Sequence, residues 1–148
     1  MISSLKSISM KRKGSLYEQK YFATALEAGL EVFTPLGDYL PQDCMVMNSA
    51  GRIFKVQIKG TQGKSKDPRR KGTGRYQVTT SSGCGSKFTI DCAKVDIVVA
   101  YIGELNIFYH IPCIEIGGVK RISLYPHITN SRAKLERFKN NWDCYQIS

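Results

Sequence analysis

The sequence predicts a single α/β domain with a central mixed sheet flanked by helices. The chain has 148 residues, the length of one domain rather than two. Its apolar fraction of 42% is close to the globular average, which argues against disorder throughout the chain. A helical segment, a run of short strand-like segments and a second helical segment follow one another without an internal repeat. That order is typical of one sheet packed against helices.

Residues 1–13 are polar and basic without a regular period, and they predict a loose N-terminal arm. Residues 14–148 are then the folded domain. The first helix is expected over 15–28, with Ser15 as its cap and Gly29 as its stop. Its apolar residues recur at three- and four-residue steps: Leu16, Tyr17, Phe22, Ala23 and Leu26. The second helix is expected over 132–142, with Leu135 and Phe138 facing the core.

The middle of the chain reads as strands. Residues 43–47 and 52–59 flank the Gly-containing turn 48–51, so they predict a β-hairpin. Residues 95–101 (VDIVVAY) form a nearly continuous β-branched run, as expected of a buried strand. Shorter strand-like segments are also expected at four places: 31–36, 76–80, 106–111 and 120–124.

The charge balance favours a polyanionic partner. Lys and Arg number 22 against 12 Asp and Glu, a formal net charge of +10. Net charge speaks about partners and not about fold, and nucleic acid is the first candidate. The breaker-rich loop 60–75 holds six of these cations and the single acid Asp67. Half of the excess charge therefore lies in one loop.

Several function classes find no support in the sequence. No window of eighteen consecutive apolar residues suggests a transmembrane helix, and residues 1–14 lack the apolar core of a signal peptide. We therefore expect a cytoplasmic protein without membrane contact. The five cysteines include no CxxC pair, so reduced thiols are expected rather than a zinc site. GxGxxG, P-loop, GxSxG and HExxH patterns do not occur.

One group of residues in the predicted hairpin suggests phosphodiester chemistry. Asp43 begins the first strand, and Gln57 and Lys59 share one face at the end of the second. Glu18 can join them if the first helix packs across the sheet. Carboxylate and carbonyl oxygens, including the backbone carbonyl of Ile58, suit Mg²⁺. A lysine nearby can orient the attacking water and neutralise charge on the phosphate.

This pattern resembles the PD-(D/E)xK nuclease superfamily. The matching residues are Glu18, the P-Q-D of 41–43 and the Q-I-K of 57–59, and the later segments look like the small homing endonucleases encoded within group I introns. The resemblance implies a restriction-endonuclease-like core and cleavage of double-stranded DNA with Mg²⁺, for which Mn²⁺ would substitute. The implied catalytic residues are Glu18, Asp43, Gln57 and Lys59. The implied metal ligands are Glu18, Asp43, Gln57 and Ile58.

The sequence departs from the family pattern at two positions. Gln42 separates the proline from the aspartate, and Gln57 stands where the family has an acid. The second change removes one negative charge from the metal site, so Glu18 becomes more important as the second carboxylate.

Such an enzyme would bind DNA through the loop 60–75 and the residues beside it. Cations there would contact phosphates, and long polar side chains would reach base edges. The expected DNA contacts are Gln62, Lys64, Lys66, Arg69, Arg70, Lys71, Arg75 and Gln77. One site cuts one strand, so we expect a homo-oligomer: at least a dimer, with a tetramer open. A Holliday-junction resolvase and a non-catalytic DNA- or RNA-binding module remain the alternatives.

Overall fold

The computed structural model describes residues 8–65, 74–81 and 89–146. Within these ranges the chain has one α-helix and seven strands, and the strands form two sheets. The main sheet has the strand order β1-β2-β3-β5-β6, and β4 pairs with β7 in a second sheet. The elements are α1 (Met10–Glu27), β1 (Glu31–Phe33), β2 (Cys44–Met47), β3 (Ile53–Thr61), β4 (Tyr76–Thr79), β5 (Ile97–Ile102), β6 (Ile107–Pro112) and β7 (Arg121–Leu124). The predicted α/β class is confirmed.

Helix α1 is longer than predicted and buries a face that only partly matches the predicted one. It begins at Met10, where the Ser9 hydroxyl accepts a hydrogen bond from the Arg12 amide, so the last four residues of the predicted arm are helical. Residues 1–7 of that arm lie outside the described residues. The buried face carries Tyr17, Tyr21 and Ala25, with Phe22 partly buried beside them, whereas the predicted Leu26 is exposed. The tyrosines combine apolar rings with polar tips, which hides them from a simple hydrophobic pattern.

The predicted hairpin is present at the centre of the main sheet. β2 and β3 pair antiparallel, with Cys44 opposite Val56, and Gly51 adopts the positive φ of +84° that closes the turn. β3 then pairs in parallel with β5, and β5 pairs antiparallel with β6. All residues of β5 are buried, as its β-branched sequence predicts. The segments 31–36 and 106–111 correspond to β1 and β6.

Each face of the main sheet carries its own core. On one face, α1 packs over the side chains of Phe54, Val56 and Ile58. On the other face, Val98 and Ala100 pack beneath the β4–β7 pair. β3 and β5 are therefore covered on both faces, and α1 lies directly over the strand that carries the predicted QIK segment.

The helix predicted over 132–142 is wrong. The structure has short 3₁₀ turns at Glu136–Phe138 and Asp143–Tyr145, separated by Asn140 at φ +50°. The Asn140 side chain accepts a hydrogen bond from the Phe108 amide, and Lys139 forms a bridge with Tyr109. Pairing with the edge of β6 therefore replaces helical hydrogen bonds here. Leu135 is buried, and Phe138 packs against the same core, as predicted.

The expectation of reduced cysteines is also wrong for one pair. Cys92 and Cys113 form a disulfide, with Cα atoms 5.5 Å apart. Their separation of 21 residues hides the pair in the sequence, but the antiparallel register of β5 and β6 places Ile97 opposite Pro112 and so brings both cysteines to one end of the sheet. Cys44 and Cys144 are free thiols. Among the described helices, none is long and apolar enough to cross a membrane.

Candidate active site

Asp43 is anchored at the open end of the hairpin. It lies one residue before β2, and its amide donates to the Val56 carbonyl at 2.9 Å. Its carboxylate accepts a hydrogen bond from the Ile58 amide at 2.7 Å. The side chain is thus fixed by the backbone of the strand that carries Gln57 and Lys59.

Glu18 reaches Asp43 from α1. The neighbouring Tyr17 is buried against the sheet, where its ring meets Tyr101 at 5.4 Å between centroids. Gly60 on β3 allows this approach, because a Cβ at that position would lie 2.5 Å from a ring carbon of Tyr17. With the helix held in this way, the carboxyl groups of Glu18 and Asp43 share a hydrogen bond. The structure therefore brings the two predicted carboxylates together.

The pKa values of the pair are set first by burial and then by neighbouring charges. Burial, followed by the charge of Asp43, raises the pKa of Glu18 to about 7. Burial also raises the pKa of Asp43, although the Ile58 amide and the Lys59 charge oppose the rise. Asp38 adds a further negative charge that raises the pKa of both groups. Lys59 is therefore near enough to favour ionised Asp43, yet it does not offset the burial of that carboxylate.

The three residues of the QIK segment, 57–59, lie in different surroundings. Gln57 is buried on β3, and Lys59 is half-buried. The Ile58 side chain packs in the core under α1, while its amide faces Asp43. Since the N–H and C=O of one strand residue point to the same neighbouring strand, the Ile58 carbonyl faces the edge beyond the start of β2. It lies beside the carboxylate pair and not inside the sheet.

The donor set fits a hard divalent cation. Carboxylate, amide and peptide oxygens are the ligands that Mg²⁺ takes in proteins, and a bound cation would offset both the burial and the nearby negative charge that raise the two pKa values. No group of three His, Cys, Asp or Glu side chains forms a metal cluster anywhere in the described ranges. The pair would consequently depend on neutral oxygens and water to complete an octahedral shell.

The predicted DNA-contact residues are spread over the strands and loop that follow β3. Lys64 is exposed, Arg75 forms a bridge with Ser65 at the base of the loop, and Gln77 lies on β4. Gln62 is half-buried, with its side-chain oxygen against Gly103 and without a hydrogen-bond partner. The remaining predicted contacts lie outside the described residues: Lys66, Arg69, Arg70 and Lys71.

Two features of the site were missed in the sequence. Asp38 acts on both carboxyls although it lies in the loop before the hairpin, and its closeness to Asp43 in sequence was the available signal. The contact between Gly60 and Tyr17 had no signal, because Gly60 reads as the first breaker of the basic loop. Asp96 has a structural contact instead, since its carboxylate accepts a hydrogen bond from the Lys55 amide at 2.8 Å.

Two comparisons with known proteins found matches. The sequence model of the PD-(D/E)XK endonuclease family matches residues 8–147. Among solved structures, a bacterial homing endonuclease, I-Ssp6803I, superposes with a TM-score of 0.75 at 29% sequence identity, over 94% of this chain and 95% of that one. A search of curated proteins found no match.

Proposed function

The chain belongs to the PD-(D/E)XK endonuclease family, and on that premise we propose that it is a Mg²⁺-dependent endonuclease that cuts double-stranded DNA at a specific sequence. The observation that carries the proposal is the half-buried Glu18–Asp43 pair, anchored on the Ile58 amide and close to Lys59. Two carboxyl groups in contact with raised pKa values reduce the stability of the fold, and such groups are typical of functional sites. Binding of a divalent cation would explain why they lie together here.

Each residue has a separate role in the proposed reaction. Glu18, Asp43, the Gln57 side chain and the Ile58 carbonyl would hold Mg²⁺ (Mn²⁺ would substitute), which supplies charge neutralisation at the scissile phosphate and acidifies a water molecule. Lys59 orients the attacking water and stabilises charge that develops on the phosphate. Gln57 contributes no charge, so the two acids carry the whole anionic share of the site.

The solved neighbour supports a homing function. That neighbour is a bacterial homing endonuclease, and the match spans nearly the whole of both chains. We accordingly propose intron homing in the cytoplasm, with the basic residues around the loop 60–75 holding the DNA backbone. A compact domain of this length is roughly 40 Å across, while a site of about 20 base pairs spans roughly 70 Å. A homo-oligomer, either a dimer or a tetramer, would cover such a site.

Nicking assays on purified protein test the proposal. We expect Mg²⁺-dependent cleavage of a duplex that spans the intron insertion site of the host gene, together with a large loss of cleavage, on the order of a hundredfold or more, in Lys59→Met and in Asp43→Asn. Both variants should retain DNA binding. The matched control is Lys55→Met, four residues earlier on the same face of β3, which should cut normally.

Two outcomes would reject this function. Cleavage confined to four-way junctions, with every linear duplex spared, would indicate a resolvase. Binding without nicking in Mg²⁺ or Mn²⁺ would indicate a non-catalytic binding module.

A further inference from the structure

The β4–β7 pair presents a polar face away from the core. Tyr76 and Val78 of β4, with Ile122 and Leu124 of β7, are buried against the main sheet. Because side chains alternate along a strand, the intervening residues face outward. These are Gln77, Thr79, Arg121 and Ser123. The register places Gln77 opposite Ser123 and Thr79 opposite Arg121, so the four side chains form one compact block.

This block has unused hydrogen-bonding capacity. Thr79 and Arg121 are exposed, and Gln77 and Ser123 are half-buried. In the part of the chain that the structure describes, none of these four side chains takes part in a hydrogen bond or an ion pair. An amide, a guanidinium and two hydroxyl groups therefore point outward with donors and acceptors available. The buried side chains of the inner face are sufficient to hold the pair against the main sheet. The outward side chains are therefore not needed for packing and can bind a ligand.

The pair is fixed to the strand that carries the proposed catalytic lysine. β3 ends at Thr61, and Ser65, four residues further along the chain, donates its amide to the Arg75 carbonyl at 2.9 Å just before β4 begins. At the same end of the pair, the Tyr76 hydroxyl hydrogen-bonds to Glu104, and the Gly74 carbonyl lies 3.1 Å from a ring nitrogen of His127. These contacts give the polar face a set position relative to β3.

We propose that the outward face of the β4–β7 pair reads base edges in the major groove, an assignment that rests on the proposed DNA endonuclease function. A two-stranded β-ribbon is narrow enough to enter that groove. Arg121 is the guanine-reading residue, since its guanidinium matches the O6 and N7 acceptors of guanine. Gln77 pairs with adenine, and the hydroxyls of Thr79 and Ser123 contact neighbouring bases. Arg121 and Ser123 lie far from the basic loop in sequence, and only the strand register brings them to Gln77.

The test is a binding selection from a library of randomised DNA duplexes, with Lys59→Met as the parent so that bound DNA stays intact. The parent should enrich a defined sequence. Adding Arg121→Ala or Gln77→Ala should abolish the preference at one or two adjacent positions and weaken binding to the parental sequence about 5- to 150-fold. Arg132→Ala, at an exposed arginine of the C-terminal segment, is the matched control and should keep the parental profile.

A second variant guards against misfolding. Arg121→Lys keeps the charge but loses the paired donors, so it should relax the guanine preference while affinity for unrelated DNA stays near the parental value. Three results would overturn the inference: no enriched sequence with the parent, a uniform loss of affinity for every sequence, or an unchanged profile in both alanine variants. Mg²⁺-dependent nicking by the unsubstituted protein is measured separately. If the variants change the sequence preference but the unsubstituted protein does not nick DNA, the proposed endonuclease function is rejected and the base-reading face is kept. If the protein nicks DNA but the variants leave the preference unchanged, the base-reading face is rejected and the endonuclease function is kept.

Discussion

The carboxyl group of Asp43 accepts a hydrogen bond from one backbone donor and shares another with an acid. The Ile58 amide holds it at 2.7 Å, and Glu18 approaches from the helix. Two acids in contact, both with raised pKa values, are costly in a site without a cation. The arrangement makes physical sense where a divalent ion binds the folded chain and not the unfolded one.

Binding of Mg²⁺ should therefore stabilise the protein measurably. At ten times the dissociation constant, mass action adds about 1.4 kcal/mol to the free energy of unfolding, which corresponds to a rise of a few degrees in Tm. Asp43→Asn should lose this rise, as followed by thermal unfolding with and without Mg²⁺. Glu27→Gln, at an exposed acid near the end of the same helix, is the control that should keep it. An equal rise in both variants would contradict the proposed ligand set.

The buried side chain of His110 makes the stability of the protein depend on pH. His110 is fully buried, with Nδ1 2.8 Å from the Tyr145 hydroxyl, Nε2 without a partner and the Trp142 ring at 3.9 Å between centroids. Burial lowers the pKa of His110 to about 3 from an ordinary 6.5. Between pH 6.5 and 3, His110 is therefore protonated in the unfolded chain and neutral in the folded one. The free energy of unfolding consequently falls as pH falls from 6.5 towards 3.

We expect His110 to contribute a slope of about 1.4 kcal/mol per pH unit within this range. Urea unfolding between pH 4 and 7 measures it. His110→Asn should flatten the dependence, whatever its effect on stability at pH 7. Tyr145→Phe removes the hydroxyl partner but leaves a buried imidazole, so it should keep the slope. Equal slopes in the wild-type protein and in His110→Asn would refute this origin.

At the scale of elements, the site depends on how α1 meets β3. Tyr17 packs over Gly60, and Glu18 follows Tyr17 directly along the helix. Gly60→Ala would place a methyl group 2.5 Å from a ring carbon and displace the helix from the strand. We expect a destabilisation of about 1–3 kcal/mol and a loss of cleavage, since Glu18 moves with the ring.

Gly14→Ala is the matched control for this element. Gly14 lies in the same helix with no neighbouring atom within 4 Å of an added Cβ, so alanine should stabilise the protein by about 0.5–1 kcal/mol. Its cleavage rate should stay normal. Thermal unfolding and a nicking assay under conditions where both variants are folded separate the two effects. Normal cleavage by Gly60→Ala would show that Glu18 does not depend on this contact.

Elements with local signals were predictable from the sequence, and elements that depend on distant partners were not. The hairpin has alternating residues and a glycine turn, so its strands and the position of Asp43 beside the QIK segment followed from short-range rules. The pairing of β4 with β7 joins segments far apart in the chain, and no local pattern encodes it. The failed helix at 132–142 has the same cause, because Lys139 and Asn140 form their hydrogen bonds with β6.

At the scale of the whole molecule, one chain carries one proposed catalytic centre and a DNA duplex has two strands. Glu18, Asp43 and Lys59 form a single group in which each residue appears once, so a single subunit would cut one strand. A double-strand break then requires two active subunits acting on the same site. Chains that differ only at Lys59 can test this requirement without altering the proposed DNA-reading face of the β4–β7 pair.

Oligomers prepared by co-refolding wild-type chains with Lys59→Met chains should convert double-strand cuts into nicks. If two subunits act independently, the yield of linear product falls as the square of the wild-type fraction, while nicked product rises to a maximum at intermediate mixing. Supercoiled plasmid carrying the target site separates the two products on a gel. The mass of each mixture, measured by light scattering, distinguishes a dimer from a tetramer. A linear yield directly proportional to the wild-type fraction would mean that one subunit cuts both strands, and it would remove the catalytic reason for assembly.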